Sequence, residues 1–350
     1  MGEMESFYTN KRVLVTGHTG FKGSWLCEML LQMGAHVTGY SLEPPTNPSL
    51  FEICNLQEKM DSIIGDIRDI ERLKSAFEQA EPDLVIHMAA QPLVIESYRT
   101  PVYTFETNIM GTVNVLECIR NFSSVKSFLN VTTDKVYLNM ERKEGYSEDE
   151  MLCGYDPYAN SKSCSELVTK SYKNAFLNEK NIAVSTARSG NVIGGGDFSD
   201  NRLIPDCAKD TASDRSIKIR NPNSIRPYQH VLDTLYAYLL IVQKQYENPE
   251  LAGSYNIGPD EDGCKTSAEL ATLFCSAWGD NAKWENISVA NPHEDNVLKL
   301  NCTKIYNTLG WLPKWDIGDA VCKTAKWYKA YYQKDDARKV MLDQIKEFLQ

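Results

Sequence analysis

Two residues that could move a proton stand four positions apart, Tyr158 and Lys162, in the segment Tyr-Ala-Asn-Ser-Lys. If a helix begins at this point, the phenol and the ammonium lie on one face of it. A nearby ammonium stabilises a phenolate, so we expect it to lower the pKa of Tyr158 toward neutrality. The tyrosine would then be a usable base for a sugar hydroxyl. Because the same spacing is common in surface pairs, it indicates a function only within a suitable fold.

A second group of candidate residues, Thr133-Asp134-Lys135, follows a short apolar segment. Thr133 can hydrogen-bond a substrate hydroxyl, Asp134 can act as an acid if its pKa is raised, and Lys135 can act as a base only if neutral. An ordinary lysine has a pKa of about 10.4, so burial or a neighbouring cation such as Lys162 would have to lower it. Taken alone, the triplet would be a salt bridge at the end of a strand.

Residues 11–40 indicate where a cofactor would bind. A short apolar run at 13–15 predicts a buried strand, three glycines follow at three-residue spacing, and apolar residues then recur at helical period. A second apolar run begins near residue 35 and predicts another strand. Gly17 would allow a tight turn, Gly20 would let backbone N–H groups approach a pyrophosphate, and Gly23 would permit close packing of helix against strand. The helix N-terminus adds partial positive charge. This order of elements predicts the opening of a parallel dinucleotide-binding sheet.

Strands and helices alternate through the first half of the chain. We predict strands at residues 61–64, 83–88, 127–131 and 183–187, and helices at 69–79, 101–121 and 158–176. This alternation is typical of a doubly wound parallel α/β sheet, in which ligands bind beyond the carboxyl ends of the strands. Beyond Arg188 the pattern is irregular, with weaker helices predicted at 267–278, 316–331 and 335–349. We therefore predict a dinucleotide-binding domain over 1–188, with a return segment near 226–248, and a smaller mixed α/β substrate domain over most of 189–350.

Composition excludes several classes of protein. The 350 residues carry a net charge of −10, which leaves no basic surplus for binding nucleic acid. No apolar stretch approaches the roughly 18 residues of a membrane helix, and residues 1–6 have no apolar core, so no signal peptide is expected. No two of the ten cysteines have C-x-x-C spacing, so we predict no metal site and expect free thiols in a reducing cytoplasm.

Candidate anion-binding residues lie in the second half of the chain. Four arginines gather in one stretch: Arg202, Arg215, Arg220 and Arg226. Guanidinium groups match phosphate oxygens in geometry, although solvated surface charge is the ordinary role of any one arginine. The segment from Arg226 to His230 is denser in binding-type residues than a loop requires. His293 is expected to be structural or peripheral.

The chain resembles the nucleotide-sugar branch of the extended short-chain dehydrogenase/reductase superfamily. The resemblance rests on Gly17-His-Thr-Gly-Phe-Lys-Gly23, on Tyr158-x-x-x-Lys162, on Thr133-Asp-Lys135 and on Arg202-Leu-Ile-Pro205, and it extends from residue 11 to about residue 331. It implies a Rossmann fold, an NAD that stays bound through the reaction, and a homodimer joined by helices near 101–121 and 158–176.

The resemblance also implies a 4,6-dehydration of CDP-glucose to CDP-4-dehydro-6-deoxyglucose. Tyr158, assisted by Lys162 and Thr133, would take the C4 hydroxyl proton. Lys135 would remove the C5 proton while Asp134 protonates the departing C6 hydroxyl. The positions matched to NAD are Gly17, Thr19, Gly20, Phe21 and Lys22 at the pyrophosphate, Asp66 and Ile67 at the adenine, and Ala89, Ala90, Gln91, Thr104, Asn108, Tyr158 and Lys162 along the remaining path. The positions matched to the CDP half are Asn191, Arg202, Leu203, Arg220, Arg226 and His230.

The choice of cofactor and of reaction leaves alternatives. Relatives that hold NAD tightly usually have an acid at the end of strand two, where this chain has Tyr40-Ser41, with Glu43 two residues later. No arginine stands there to pair with a 2′-phosphate, which favours NAD over NADP. Another nucleotide-sugar 4,6-dehydratase is an alternative, as is a 4-epimerase, which needs Tyr158 and Lys162 but not the pair after Thr133. A non-catalytic NAD-sensing regulator would need neither Tyr158 nor Lys162.

Overall fold

The computed structural model describes residues 2–142, 144–259, 261–287 and 298–350. The strands are β1 (Arg12–Thr16), β2 (His36–Ser41), β3 (Asp61–Ile64), β4 (Leu84–His87), β5 (Ser127–Val131), β6 (Ala183–Ser189), β7 (Asn191–Ile193), β8 (Ile217–Ile219), β9 (Ile225–His230), β10 (Ser254–Ile257), β11 (Cys264–Thr266) and β12 (Trp284–Asn286). The α-helices are α1 (Glu3–Tyr8), α2 (Phe21–Gln32), α3 (Leu50–Ile53), α4 (Ile70–Ala80), α5 (Val94–Arg99), α6 (Pro101–Phe105), α7 (Gly111–Asn121), α8 (Pro157–Tyr172), α9 (Leu203–Ala212), α10 (Val231–Glu247), α11 (Ser267–Trp278), α12 (Thr303–Leu309), α13 (Ile317–Tyr332) and α14 (Ala337–Leu349). Two π-helical turns, Glu106–Met110 and Lys173–Leu177, join α6 to α7 and extend α8.

Seven strands form one sheet in the order β10-β6-β5-β4-β1-β2-β3, and every neighbouring pair is parallel. The predicted doubly wound parallel sheet is therefore confirmed. All six predicted strands are present in the sheet, and the structure adds a seventh. The seventh strand, β10, pairs with β6 at the edge of the sheet and lies beyond the predicted return segment. Helix α10, inside that segment, packs against β5 and β6.

The two faces of the sheet are covered by different helices because side chains alternate along each strand. Val13 and Val15 of β1 belong to the core cluster that includes residues of α2 and α10, whereas Leu14 belongs to the cluster that includes residues of α4 and α7. All three side chains are almost fully buried. The parallel strands are thus apolar on both faces, as expected for a sheet covered on both sides.

The second half of the chain adds two small sheets, of order β11-β9-β7 and β12-β8, and the helices α9, α11, α13 and α14. The glycine corner at 194–196 is tightly packed, since a Cβ added to Gly195 would come within 2.0 Å of the Trp327 ring. The Trp25 indole also donates a hydrogen bond to the Gly195 carbonyl, 2.9 Å away, which ties α2 to this corner. The division of the chain at residue 188 stays a prediction. Within the described residues, no helix is long and apolar enough to cross a membrane.

Candidate active site

The glycine turn after β1 lies against the loop after β4. Gly17 has a φ of 80°, and a Cβ there would come within 2.8 Å of the Ala89 nitrogen. A Cβ on Gly23 would come within 2.1 Å of the Gly17 carbonyl oxygen, so this glycine permits close contact of α2 with the turn. The tight turn predicted at Gly17 and the close packing predicted at Gly23 are confirmed, and binding of a pyrophosphate by Gly17 stays a prediction. At Gly20 the nearest protein atom to a Cβ is 3.5 Å away, so the protein itself does not require a glycine there.

The start of α2 fits an anionic ligand. Gly20 is the N-cap residue, and among the described residues no side chain caps the helix. The first N–H groups of α2 therefore remain available for a pyrophosphate, together with the helix dipole. An open Cβ position at Gly20 and uncapped N–H groups are the features that a bound dinucleotide requires. The residues present fit that group.

The end of β2 is closed by hydroxyl groups. The Thr19 hydroxyl lies 2.9 Å from the Ser41 hydroxyl and donates to the Leu42 carbonyl. The Tyr40 hydroxyl, which is buried, donates to the Asp66 carbonyl at 2.9 Å. Tyr40 is therefore a core residue that supports the loop at the predicted adenine position. The Asp66 carboxylate is bound by Arg68, and these hydrogen bonds hold its pKa below the usual value although burial alone would raise it.

Three residues predicted along the cofactor path hold one another. The Asn108 amide oxygen accepts from the Gln91 backbone N–H at 2.8 Å, and the Thr104 hydroxyl accepts from the Gln91 side chain at 2.9 Å. Asn108 also donates to the Ser161 hydroxyl of α8 at 2.8 Å. Because Thr104 and Asn108 are almost fully buried, they fix the loop after β4, which carries Ala89 and Ala90. The other predicted adenine residue, Ile67, is also buried and packs in the second core cluster.

The start of α8 places the candidate base and its lysine. The Asp156 carboxylate caps the helix by accepting from the Ala159 N–H at 2.9 Å, and a proline at the first helical position fixes the backbone. Tyr158 and Lys162 follow on one face, as predicted. The Lys162 ammonium donates a hydrogen bond to the Val131 carbonyl at the end of β5, 3.0 Å away.

The prediction that Lys162 lowers the pKa of Tyr158 toward neutrality is wrong for the protein chain alone. Burial raises the pKa of Tyr158 to about 12 and outweighs the hydrogen bond with Thr133, which lowers it. Burial and the charge of Lys22 lower the pKa of Lys162 to about 7. A lysine that is only partly charged near neutrality, and that is bonded to a carbonyl, stabilises the phenolate less than a fully charged ammonium would. We infer that substrate and cofactor must complete the activation of Tyr158.

Thr133, Asp134 and Lys135 form a hydrogen-bonded group at the end of β5. The Thr133 hydroxyl donates to the Asp134 carboxylate at 2.9 Å, and the Lys135 ammonium donates to the same oxygen at 3.1 Å. The Asp134 side chain is 1% exposed and that of Lys135 is 25% exposed. The second Asp134 oxygen, Oδ2, has no hydrogen-bond partner within the described residues. Because buried polar atoms normally have a partner, this oxygen has an unused capacity to accept a hydrogen bond.

Two more cations lie close to these residues. The Lys22 ammonium is 3.4 Å from the Tyr238 hydroxyl, and burial together with the charge of Arg202 lowers its pKa to about 8. Arg202 forms an ion pair with Asp197 at 2.8 Å, and its charge acts on Tyr158. Lys22 and Arg202 therefore lie nearer the candidate catalytic residues than their predicted places, at the pyrophosphate and the CDP half, suggested.

The remaining predicted substrate residues differ in their exposure and in their hydrogen-bond partners. Arg220 is exposed and donates to the Asn201 side chain at 3.0 Å, whereas Arg226 is buried and donates to the Ile225 carbonyl at 2.8 Å. Asn191 and Leu203 are half-buried at the starts of β7 and α9. His293 lies outside the described residues.

The prediction that His230 binds substrate is corrected. Its ring is fully buried, lies 4.7 Å from the Trp315 ring and 5.9 Å from the Trp25 ring, and caps α10 by accepting from the Leu232 N–H. Burial lowers the pKa of His230 to about 3, so the ring stays neutral at ordinary pH. A neutral, enclosed helix cap cannot reach a ligand.

Sequence reasoning missed two buried charges next to the site, Glu166 of α8 and Arg188 of β6, which form an ion pair at 2.9 Å. The sequence position of Glu166 could have indicated this pair, because Glu166 stands four residues after Lys162 and hence on the same helical face. An arginine in an otherwise uncharged strand was a second signal.

The chain is similar to known proteins along most of its length. The model of a family described as GDP-mannose 4,6 dehydratase matches residues 14–324. Over 338 residues the chain is 45% identical to a CDP-glucose 4,6-dehydratase of Salmonella typhimurium, which covers 95% of this chain and 94% of that protein. Its fold is similar to that of a dTDP-glucose 4,6-dehydratase from Bacillus anthracis in complex with NAD, with a TM-score of 0.78, 21% identity and coverage of 94% and 99%. A UDP-glucose 4-epimerase from Thermus thermophilus in complex with NAD gives a TM-score of 0.78, with 25% identity and coverage of 91% and 99%.

Proposed function

The chain belongs to the GDP-mannose 4,6 dehydratase family, and from that premise we propose that it is a hydro-lyase converting CDP-glucose into CDP-4-dehydro-6-deoxyglucose and water. Its cofactor is NAD, which is bound in the related dehydratase and epimerase structures. The choice of CDP-glucose follows the 45% identity to the Salmonella enzyme over 95% of this chain.

One structural observation carries the assignment of dehydration. Asp134 is buried, bonded to Thr133 and Lys135, and keeps one carboxylate oxygen without a partner within the described residues. An epimerase requires Tyr158 and Lys162 but has no use for an acid and a base that act on neighbouring carbons. A sensor of NAD would need none of these five groups. The arrangement therefore favours elimination of water.

The chemistry assigned to the residues follows from their positions. Tyr158, hydrogen-bonded to Thr133 and helped by the positive charge of Lys162, takes the proton of the C4 hydroxyl. A bound NAD would supply the acceptor for the hydride from C4 of the sugar and the donor that returns this hydride to C6. The 4-ketone acidifies the hydrogen on C5, which Lys135 removes after passing its own proton to Asp134, its ion-pair partner at 3.1 Å. Asp134 gives that proton to the C6 hydroxyl, which leaves as water. Lys135 returns a proton to C5 as the hydride is returned to C6, so no cofactor is consumed overall.

A comparison of substrates tests this function. The purified protein, supplied with NAD⁺, is incubated separately with CDP-, dTDP-, UDP- and GDP-glucose, and the products are analysed by mass spectrometry. We expect loss of one water from CDP-glucose and much less from the other three. Equal loss from another nucleotide sugar would reassign the substrate, and isomerisation without loss of water would support an epimerase.

We propose that the protein is a homodimer joined through α6, α7 and α8. Large apolar side chains are exposed on α6 and α8: Val102 is 69% exposed and Leu167 is 53% exposed. Phe176, in the π-helical turn after α8, is 40% exposed. Apolar side chains grouped on neighbouring helices are typical of a protein interface. Light scattering should give a dimer for the unmodified protein and a monomer for a Val102→Glu, Leu167→Glu variant; a monomeric unmodified protein would contradict the proposal.

We also propose a cytoplasmic location. All ten cysteines, each of which lies within the described residues, are free thiols. Cys153 and Cys322 are exposed, and free exposed thiols persist in a reducing compartment. Fractionation of cells that produce the protein tests this location, and recovery of the protein outside the cytoplasm would contradict it.

A further inference from the structure

The buried carboxylate of Glu166 lies at a junction of three elements. Its Oε1 accepts from the Thr132 hydroxyl at 2.6 Å and from Arg188 Nε at 3.0 Å. Its Oε2 accepts from the Thr186 hydroxyl at 2.7 Å and from Arg188 Nη2 at 2.9 Å. A fork-to-fork pair of this kind fixes direction as well as distance. Glu166 therefore binds α8 to the end of β5 and to β6.

Two of the residues in these contacts lie close in the sequence to a proposed catalytic residue. Thr132 directly precedes Thr133, and Glu166 follows Lys162 by one helical turn. Arg188 also donates to the Tyr137 hydroxyl at 2.8 Å and to the Glu148 carbonyl at 2.9 Å, in the segment that connects the end of β5 with α8. The pair thus contacts both segments that carry the reacting groups and the connection between them.

We propose that Glu166 and Arg188 are positioning residues of this site, which hold Thr133 and Asp134 at the working distance from Tyr158 and Lys162. The proposal rests on the dehydratase function inferred above and deepens it. A buried ion pair adds little to stability compared with apolar packing. A role in orientation accounts for its presence at this junction, because small displacements of reacting groups reduce rates strongly.

The negative charge of Glu166 also acts on Lys162. Three ionisable groups act on or face this lysine: Lys22 from α2, His87 from β4 and Glu166 from its own helix. Burial lowers the pKa of His87 to about 3, so that this ring is neutral. Lys22 lowers the pKa of Lys162 and Glu166 raises it. The negative charge of Glu166 therefore favours the charged lysine that assists Tyr158.

A matched pair of threonine variants separates positioning from stability. Thr132→Val removes the hydroxyl that joins Glu166 to the catalytic segment, whereas Thr186→Val removes the hydroxyl that joins the same carboxylate to β6. Both threonines are 5% exposed, so the two changes should lower stability to a similar extent. We expect Thr132→Val to lower kcat about tenfold with little change in KM, since a hydrogen bond to a charged group is lost. Thr186→Val should keep kcat within about twofold of the unmodified protein.

Hydrogen exchange of the backbone over residues 131–136 gives a readout that needs no turnover. It should quicken in Thr132→Val and remain unchanged in Thr186→Val. Equal effects of the two variants on kcat and on exchange would overturn the positioning role. If the unmodified protein fails to dehydrate CDP-glucose while exchange still separates the variants, the proposed function fails and the positioning contact stands.

Glu166→Gln tests the charge of the pair in the holoenzyme. Without the carboxylate, Lys162 should lose its proton at lower pH, so the alkaline limb of the kcat profile should move to lower pH. Glu28→Gln is the matched control, because Glu28 is another buried carboxylate, 1% exposed, with Lys59 at 3.8 Å and Arg338 at 3.7 Å. The control should lose stability without moving the profile. An unmoved limb in Glu166→Gln, or the same movement in Glu28→Gln, would contradict the assignment; if Glu166→Gln does not fold, the threonine pair decides.

Discussion

The Lys162 ammonium donates a hydrogen bond to the carbonyl of Val131, 3.0 Å away. The lysine thereby joins α8, which carries the proposed base, to the end of β5, which carries the proposed acid. In this position it is buried, and its pKa falls to about 7. Proton transfer in this site therefore depends on the arrangement of these two chain segments and is not a property of the Tyr158–Lys162 spacing alone.

Tyr158→Phe should abolish most of the activity. The substitution keeps the ring but removes the group that takes the C4 hydroxyl proton, so kcat should fall by about 10² to 10⁴, as is typical for loss of a general base. Binding of CDP-glucose, measured by calorimetry, should change little. Full turnover by this variant would place the base elsewhere.

Lys135→Ala should stop the reaction after oxidation at C4. Oxidation requires Tyr158 and the cofactor, while elimination requires a base at C5, so the two steps can be separated. On addition of CDP-glucose, NADH fluorescence should persist and the 4-keto sugar should accumulate on the enzyme. Normal dehydration by this variant would show that Lys135 serves only as the ion-pair partner of Asp134. Binding without any NADH signal would assign the lysine to the oxidation step instead.

Gly20→Ala and Gly23→Ala should affect different properties, the first NAD binding and the second the stability of the fold. The protein leaves room for a Cβ at Gly20, with the nearest atom 3.5 Å away, so the fold should survive while NAD affinity falls about tenfold or more. At Gly23 a Cβ would overlap the Gly17 carbonyl oxygen at 2.1 Å, so the free energy of unfolding should decrease by about 1–3 kcal/mol. Calorimetric titration with NAD⁺ and urea unfolding measure the two effects. Unchanged NAD binding by a folded Gly20→Ala variant would remove the pyrophosphate site from this turn.

Asp233 should make stability depend on pH. The carboxyl is buried and accepts from the Lys314 backbone N–H at 2.6 Å, and burial raises its pKa from 3.8 to about 7. The Asp233 carboxyl binds its proton more tightly in the folded than in the unfolded protein. The protonated group therefore stabilises the fold fully below pH 4, and this stabilisation is lost as pH rises through 7. Urea unfolding should show that the unmodified protein loses stability relative to Asp233→Asn between pH 4 and pH 7, by up to about 4 kcal/mol. A constant difference over that range would show that the carboxyl titrates normally.

Local sequence pattern was sufficient for most of the sheet. The bounds of β3 (Asp61–Ile64) and β5 (Ser127–Val131) and of the helix α11 (Ser267–Trp278) agree with the predicted ranges. The two strands contain short apolar runs, and α11 begins at a capping box formed by Thr266 and Glu269. Strand β10 was missed because Ser-Tyr-Asn-Ile is short and half polar, and its partner β6 lies far away in the sequence.

The candidate site was less predictable because it depends on burial. His230 stands in a segment of polar and charged residues that resembles a binding loop, and the enclosure of its ring by Trp25 and Trp315 comes from tertiary packing. The raised pKa of Tyr158 likewise results from burial, which residue spacing does not reveal. Glu166 and Arg188 are joined through contacts between β5, β6 and α8, and those contacts exist only in the assembled sheet.

Migration of a label from C4 to C6 tests the central claim most directly. CDP-glucose carrying deuterium at C4 is incubated with the protein and NAD⁺ in ordinary water, and the product is examined by NMR and mass spectrometry. Dehydration by Tyr158, Asp134 and Lys135 with hydride return predicts that the deuterium is found in the C6 methyl group of CDP-4-dehydro-6-deoxyglucose. A product that keeps its C6 hydroxyl and has deuterium back at C4 would contradict dehydration and identify an epimerase.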